Sequence, residues 1–288
     1  MCIRDRVWDR HGQIIEDLCY GNIKVINDCI GRVDVESLSG NVCLLGNRGT
    51  ANYYHWMNDA LPRLAVLEGS GINIDDVDHF IARPLNKPFH LSTLEALRIS
   101  ENQIAYSLHT QAESLFVPIF GSNTLGRQHG KWVPEFLGGL FEKSDSCNRR
   151  LYISRGSSGA RGVVNEPEVV EFLQSRGFEC IELQNHPVSD QADLFSQSEV
   201  VVGPHGAGFT NCVFCQPKTK IIEFFGSHVE PCFWITSELM NLDHFVHQCK
   251  TVHLEGVENI RQHVTNRLSP IYIDIIELQK VLDLAKVS

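Results

Sequence analysis

The stretch EVVVGPHGAGFTN (199–211) sets one imidazole, His205, among small residues at the end of an apolar run. Gly206 and Gly208 have no Cβ, so with Ala207 between them they let a ligand approach the backbone closely. A helix starting there offers unpaired N–H groups and the positive end of its dipole, which suits phosphate. His205 adds a hydrogen bond or, protonated, a charge. Thr210 and Asn211, in the first helical turn, add donors. A tight strand-to-helix turn with a satisfied histidine accounts for the same residues, so the motif alone leaves both readings open. Glu223 follows 20 residues after Gly203, at the end of the next apolar run. An acid placed there accepts hydrogen bonds from ribose hydroxyls in dinucleotide sites, or is simply a carboxylate at an exposed strand end. The literal spacing is G-x-x-G-x-G, not the dinucleotide G-x-G-x-x-G.

Arg155 ends the run LYISR, and Arg161 follows in RGSSGARG. A guanidinium fork matches a diphosphate, although an isolated loop arginine is more often just solvated. RGSSGARG contains no G-x-S-x-G, so there is no nucleophile elbow of the serine-hydrolase kind. In the first half, NYYHWMNDALPRL (52–64) puts His55 and Asp59 at i and i+4, within reach on one helix face. Arg63 continues that face unless Pro62 disturbs the turn. An imidazole oriented by a carboxylate is a general base; the same spacing also serves a packing pair. The D-x-D of Asp76 and Asp78 precedes an apolar run instead of following one, so it reads as solvated acids and not as a metal site. Ten cysteines lie scattered, and only Cys212–Cys215 have C-x-x-C spacing. With no second pair or H-x(3–5)-H partner they read as small apolar residues, not as zinc ligands.

These residues need elements to hold them. Apolar patterning predicts strands at 41–46, 77–82 and 114–119, alternating with helices at 53–68, 89–99 and 131–143. A polar break at 144–150 follows. The second half alternates strands at 150–155, 178–183, 199–203, 220–225 and 244–249 with helices at 165–177, 189–197, 207–214 and 232–240, and closes with a helix at 272–286. Asn165 and Ser189 read as N-caps. Such alternation predicts an α/β fold with parallel sheets covered on both faces, arranged as two lobes, 7–145 and 146–288, facing a cleft. Ligands gather at the carboxyl ends of such strands. The chain has 288 residues and a formal net charge of −10, which argues against general nucleic-acid binding. No run is long and apolar enough to span a membrane; peripheral association is left open. MCIRDR shows no usable pattern and reads as a doubtful start to a chain truncated there. A bacterial chain would be cytoplasmic; a missing extension with a signal or anchor would place it in the secretory lumen.

Taken together, NYYHWMNDALPRL, RRLYISR, VVNEPEVVEFL and EVVVGPHGAGFTN with IIEFF after it give a chain that resembles the family 61 glycosyltransferases from about Val42 to Cys249. The resemblance implies a GT-B arrangement of two Rossmann-like lobes and inverting transfer from a nucleotide sugar to a glycan or polysaccharide hydroxyl, as in polysaccharide biosynthesis. It assigns Arg155, His205, Gly206, Ala207, Gly208, Thr210, Asn211 and Glu223 to the donor, and His55 and Asp59 to catalysis. Which of the pair takes the proton is left open. Arg63 and Arg161 are supporting candidates. The nucleotide sugar is a co-substrate, with no resident cofactor and no divalent metal expected. Two alternatives remain: an NAD-type oxidoreductase, which the glycine spacing disfavours, and a pseudoenzyme that binds a nucleotide sugar without turning it over.

Overall fold

The structure, a computed structural model, describes residues 7–15, 18, 35–46, 48–82, 85–106, 109–119, 130–156, 161–252 and 269–288. The serine-rich part of RGSSGARG, the opening MCIRDR and residues 120–129 lie outside them. The chain is α/β and divides into two compact units, 1–129 and 130–288. The division falls ahead of the polar break at 144–150, because helix α4 (Trp132–Gly138) belongs with the second unit. There α4 contacts the helix Ala207–Phe214, and Lys143 Nζ donates to Val213 O just beyond it. Among the described residues no helix is long and apolar enough to cross a membrane.

The first unit holds a four-stranded parallel sheet in the order β3-β2-β1-β4. Its strands are β1 (Glu36–Leu44), β2 (His79–Ile81), β3 (Ile104–Ala105) and β4 (Thr110–Phe116). β1 starts earlier than its apolar core predicts, because its first residues are half-covered at most and carry no apolar signal. The register shift between Leu38 and Asn41 is a bulge. Asp78 serves that bulge by accepting from Asn41 N at 2.8 Å.

The expected helix 53–68 exists as a broken run: α1 (Tyr53–His55), a π turn (Trp56–Ala60) and α2 (Pro62–Gly69). Pro62 has no N–H to return to Asn58, so the ladder opens, and Leu61 N bonds Trp56 O at 3.1 Å, five residues back. Asn52 caps the start, accepting from Tyr54 N at 2.9 Å. The helix between β2 and β3 is α3 (Pro88–Ala96).

The second unit has five parallel strands in the order β6-β5-β7-β8-β9. They are β5 (Arg149–Ile153), β6 (Phe178–Ile181), β7 (Ser198–Pro204), β8 (Lys220–Phe225) and β9 (Asp243–Gln248). Renumbered from the first, this order is 2-1-3-4-5, a doubly wound sheet whose chain reverses direction between β5 and β7. One face carries Val200, Val202, Ile222 and Phe224 under α5 (Glu166–Gln174) and the closing helix α8 (Ile275–Leu284), whose Leu278 and Leu282 are fully buried. The helix Ala207–Phe214 contacts α4, α6 (Val188–Ser196) and α7 (Cys232–Leu239).

Three local expectations are corrected. The segment 207–214 is a 3₁₀ helix, not an α-helix. Asn165 stands at the N-cap position of α5 without capping it: its amide donates to Ile273 O and accepts from Ile273 N, tying α5 to the strand end before α8. Pro187, not Ser189, precedes α6, and Ser189 turns to Asp190.

Candidate active site

At the carboxyl end of β7 the ladder runs on past Pro204, with His205 N donating to Phe224 O at 2.9 Å. That pins the imidazole beside β8. Its ring stacks on Phe225, centroids 4.9 Å apart and 27° between planes, and tilts against Phe233 of α7. Nδ1 lies 2.5 Å from Glu223 Oε1. A carboxylate accepts there, so Nδ1 carries the proton and Nε2 is left without a hydrogen-bond partner among the described residues. Glu223 does not stand at an exposed strand end. Its side chain is 1% exposed on the inner face of β8, and it holds His205 from beneath. Burial pushes its carboxyl above the usual range, and the His205 hydrogen bond and the charges of His205 and Arg161 oppose that rise.

Arg155 leaves the end of β5, across the switch point from His205, and its Nη1 donates to His205 O at 3.3 Å. Gly206 makes the passage possible: a Cβ there would lie 1.9 Å from that same Nη1. Burial pushes the Arg155 guanidinium down to about 10, and the like charge of Arg161 adds to the shift. Two guanidinium groups close enough to repel, one of them desolvated, make a place that gains from an anion. Arg161 is held with φ 57, a left-handed backbone that a long side chain adopts only where its surroundings impose it.

The rest of the turn supports it from below. Gly208 packs against Leu183, where a Cβ would stand 2.7 Å from Cδ1. Ala207 opens the 3₁₀ helix and is half-buried. Thr210 and Asn211 are interior, at 2% and 0% exposure. Asn211 Nδ2 donates to Gln191 Oε1 at 2.8 Å, and Gln191 in turn donates to the carbonyls of Leu183 and His186. Both side chains lie on the packed side of this 3₁₀ helix, a direction that their spacing in the sequence did not reveal. Cys212 and Cys215 are buried free thiols in the same helix.

In the first unit His55 and Asp59 meet across the π turn, Nδ1 to Oδ2 at 2.6 Å, with side chains 32% and 26% exposed. Both are therefore accessible. Arg63 stays on their face in spite of Pro62: Nε donates to Asp59 O and Nη1 to Leu44 O, both at 3.2 Å, tying the helix to the carboxyl end of β1. Trp56 anchors the inner side through Nε1 to Thr93 Oγ1 at 2.8 Å.

The structure thus gathers Arg155, Arg161, His205, Gly206 and Glu223 in the second unit, and His55, Asp59 and Arg63 in the first. The sequence reading missed Phe225, Phe233 and His244, which surround the His205–Glu223 pair; an apolar run and one histidine at a strand start gave no sign of them. A family model described as Glycosyltransferase 61 matches residues 53–222, more than half of the chain, from the head of α1 into β8. A comparison with curated proteins finds no match. With that match spanning the paired His55 and Asp59 as well as the arginine and glycine turn, the chain belongs to the glycosyltransferase 61 family and is a glycosyltransferase.

Proposed function

We propose that the enzyme is an inverting, nucleotide-sugar-dependent glycosyltransferase of GT-B type, moving a sugar to a hydroxyl of a glycan or polysaccharide without a bound metal. The observation that carries this reading is the convergence of Arg155, Arg161 and His205 at the carboxyl ends of β5 and β7, the switch point of the doubly wound sheet. A donor diphosphate suits that place: the arginine fork, a histidine nitrogen and an unobstructed Gly206 backbone meet there. Thr210, Asn211, Gly208 and Glu223 then shape the seat, and Ala207 lines its start. The guanidinium groups supply the positive charge that a divalent cation would otherwise bring to the departing diphosphate. One parallel sheet in each unit supports the GT-B reading.

The chemistry balances with the residues at hand. The acceptor oxygen attacks the anomeric carbon. The bond from that carbon to the diphosphate oxygen breaks, and its electron pair leaves with the nucleoside diphosphate. The acceptor proton passes to His55 Nε2. Asp59 takes the Nδ1–H side and holds the ring, so His55 is the base and Asp59 its orienting partner. A screen of nucleotide-sugar donors, scored by release of free nucleoside diphosphate, tests the whole reading. Asp59→Asn should leave calorimetric binding of the diphosphate unchanged and lower turnover about 10²–10⁴-fold. Donor binding without turnover on any acceptor would make the protein a binding module, and no binding to any diphosphate would remove the donor site.

A further inference from the structure

Behind Glu223, away from His205, lies a second histidine. β8 and β9 pair in parallel with Ile221 opposite His244 and Glu223 opposite Val246. Strand alternation brings His244 and Glu223 to the same face of the sheet. His244 Nε2 stands 3.3 Å from Glu223 Oε2, and both side chains are 1% exposed. Ser237 Oγ, on α7, lies 2.9 Å from His244 Nδ1. At 3.3 Å the Nε2–Oε2 approach lacks hydrogen-bond geometry, and neither atom has a hydrogen-bond partner among the described residues. Two buried polar atoms thus stand side by side without a partner.

That arrangement selects one tautomer. A lone pair aimed at a carboxylate oxygen is repelled, so His244 presents Nε2–H, and Nδ1 accepts from the Ser237 hydroxyl. Glu223 is then held at Oε1 by His205, and a turn of the His244 ring brings Nε2–H to Oε2.

We propose that His244 is a positioning residue acting through Glu223: fixed by Ser237, it holds the inner carboxylate oxygen, keeps Glu223 ionised, and so keeps His205 turned with Nε2 free for the ligand. The surroundings make such a donor necessary. Burial pushes the Glu223 carboxyl up and His244 down to about 4, leaving a neutral imidazole beside a carboxylate short of partners. The other titratable groups near them are Arg161, which favours the ionised Glu223, Cys212, whose thiol burial raises well above its ordinary range, and Glu238, which acts on His244. The ionisation of Glu223 stands apart from the assigned reaction, and its effect on turnover rests on the donor-site reading.

The test is carboxyl ¹³C NMR of the ligand-free full chain, labelled at glutamate, with Glu223 assigned through Glu223→Gln. His244→Phe keeps the bulk and removes the donor; it should raise the Glu223 titration midpoint by about one pH unit or more, a tenfold change in proton affinity. His244→Gln returns an amide N–H to the Nε2 position and should stay close to the native midpoint. In turnover, the acid limb of the pH profile should move up with His244→Phe and not with His244→Gln. A folded His244→Phe with an unmoved Glu223 midpoint, or a His244→Gln that shifts as far as His244→Phe, overturns the proposal. If His244→Phe does not fold, ring ¹⁵N NMR of the native chain decides: the Nε2–H tautomer at His244 supports it and the Nδ1–H tautomer overturns it. A shifted Glu223 midpoint in a chain that binds no nucleoside diphosphate would leave the positioning role standing and remove the donor-site reading.

Discussion

His55 and His205 each set Nδ1 against a carboxylate, at 2.6 and 2.5 Å, but the partners differ: Asp59 is 26% exposed and Glu223 1%. An exposed pair keeps its second nitrogen open to an incoming hydroxyl and exchanges protons with solvent. A buried pair holds one ring rigidly, and losing either member strands a polar group, at a cost of about 3–5 kcal/mol. In the proposed donor site Arg155 stands on the ligand side of that buried pair. Arg155→Ala is expected to weaken nucleoside diphosphate binding about 10- to 100-fold by calorimetry, and Arg155→Lys to recover only part, because an ammonium lacks the planar fork. Native affinity in Arg155→Ala would take the residue out of the site. The buried histidine also makes stability depend on pH. Unfolded histidine protonates near 6.5, whereas folded His244 stays neutral down to about 4. Its contribution is therefore complete above about 6.5 and declines as pH falls toward 4. Glu223, raised by burial, works in the opposite sense, so the informative comparison is with His244→Gln. Between pH 7 and 5 the native chain should lose about 2 kcal/mol more stability in urea than that variant; equal losses would mean His244 is not held neutral.

At the scale of elements, two turns do the positioning. The π turn after α1 follows from Pro62, and Arg63 fastens it to the end of β1. The glycine turn after β7 depends on the missing Cβ of Gly206, whose φ of 175 is extended backbone open to any residue. Gly206→Ala should therefore fold with a melting temperature close to native, yet displace the Arg155 guanidinium, since the new Cβ would stand 1.9 Å from Nη1. Diphosphate binding should fall about as far as in Arg155→Ala, and the double variant should bind no more weakly than Arg155→Ala alone, because both changes remove one interaction. Additive losses in that cycle would separate the two residues. The sequence reading found both turns by their residue types. It did not find the π register, because hydrophobic spacing over five residues cannot separate α from π. Nor did it find that 207–214 is 3₁₀, which is why Thr210 and Asn211 were expected at the ligand and lie inside.

At the scale of the whole chain, α8 and α5 close one face of the five-stranded sheet, with Leu278, Leu282, Val169 and Leu173 fully buried there. Leu282→Ala removes atoms from that core and should destabilise the second unit by about 2–5 kcal/mol. Hydrogen exchange should show lost protection in β5, β7 and β8, with the amides of β1 and β2 unchanged if each unit folds on its own core. Loss of protection across both sheets would show one cooperative unit instead.

Alternating apolar runs determined the α/β class, and ordered motifs, each with its own residue spacing, determined the candidate site residues; both are local properties of the chain, set by periods of two and 3.6 residues. Strand order was not local. Only the pairing of β5 with β7 brought Arg155 to His205 across 50 residues, and only the pairing of β8 with β9 put His244 on the face of Glu223. Burial was also decided there: the same glutamate that reads as a strand-end acid lies 1% exposed inside the second unit, with His205 on one carboxylate oxygen.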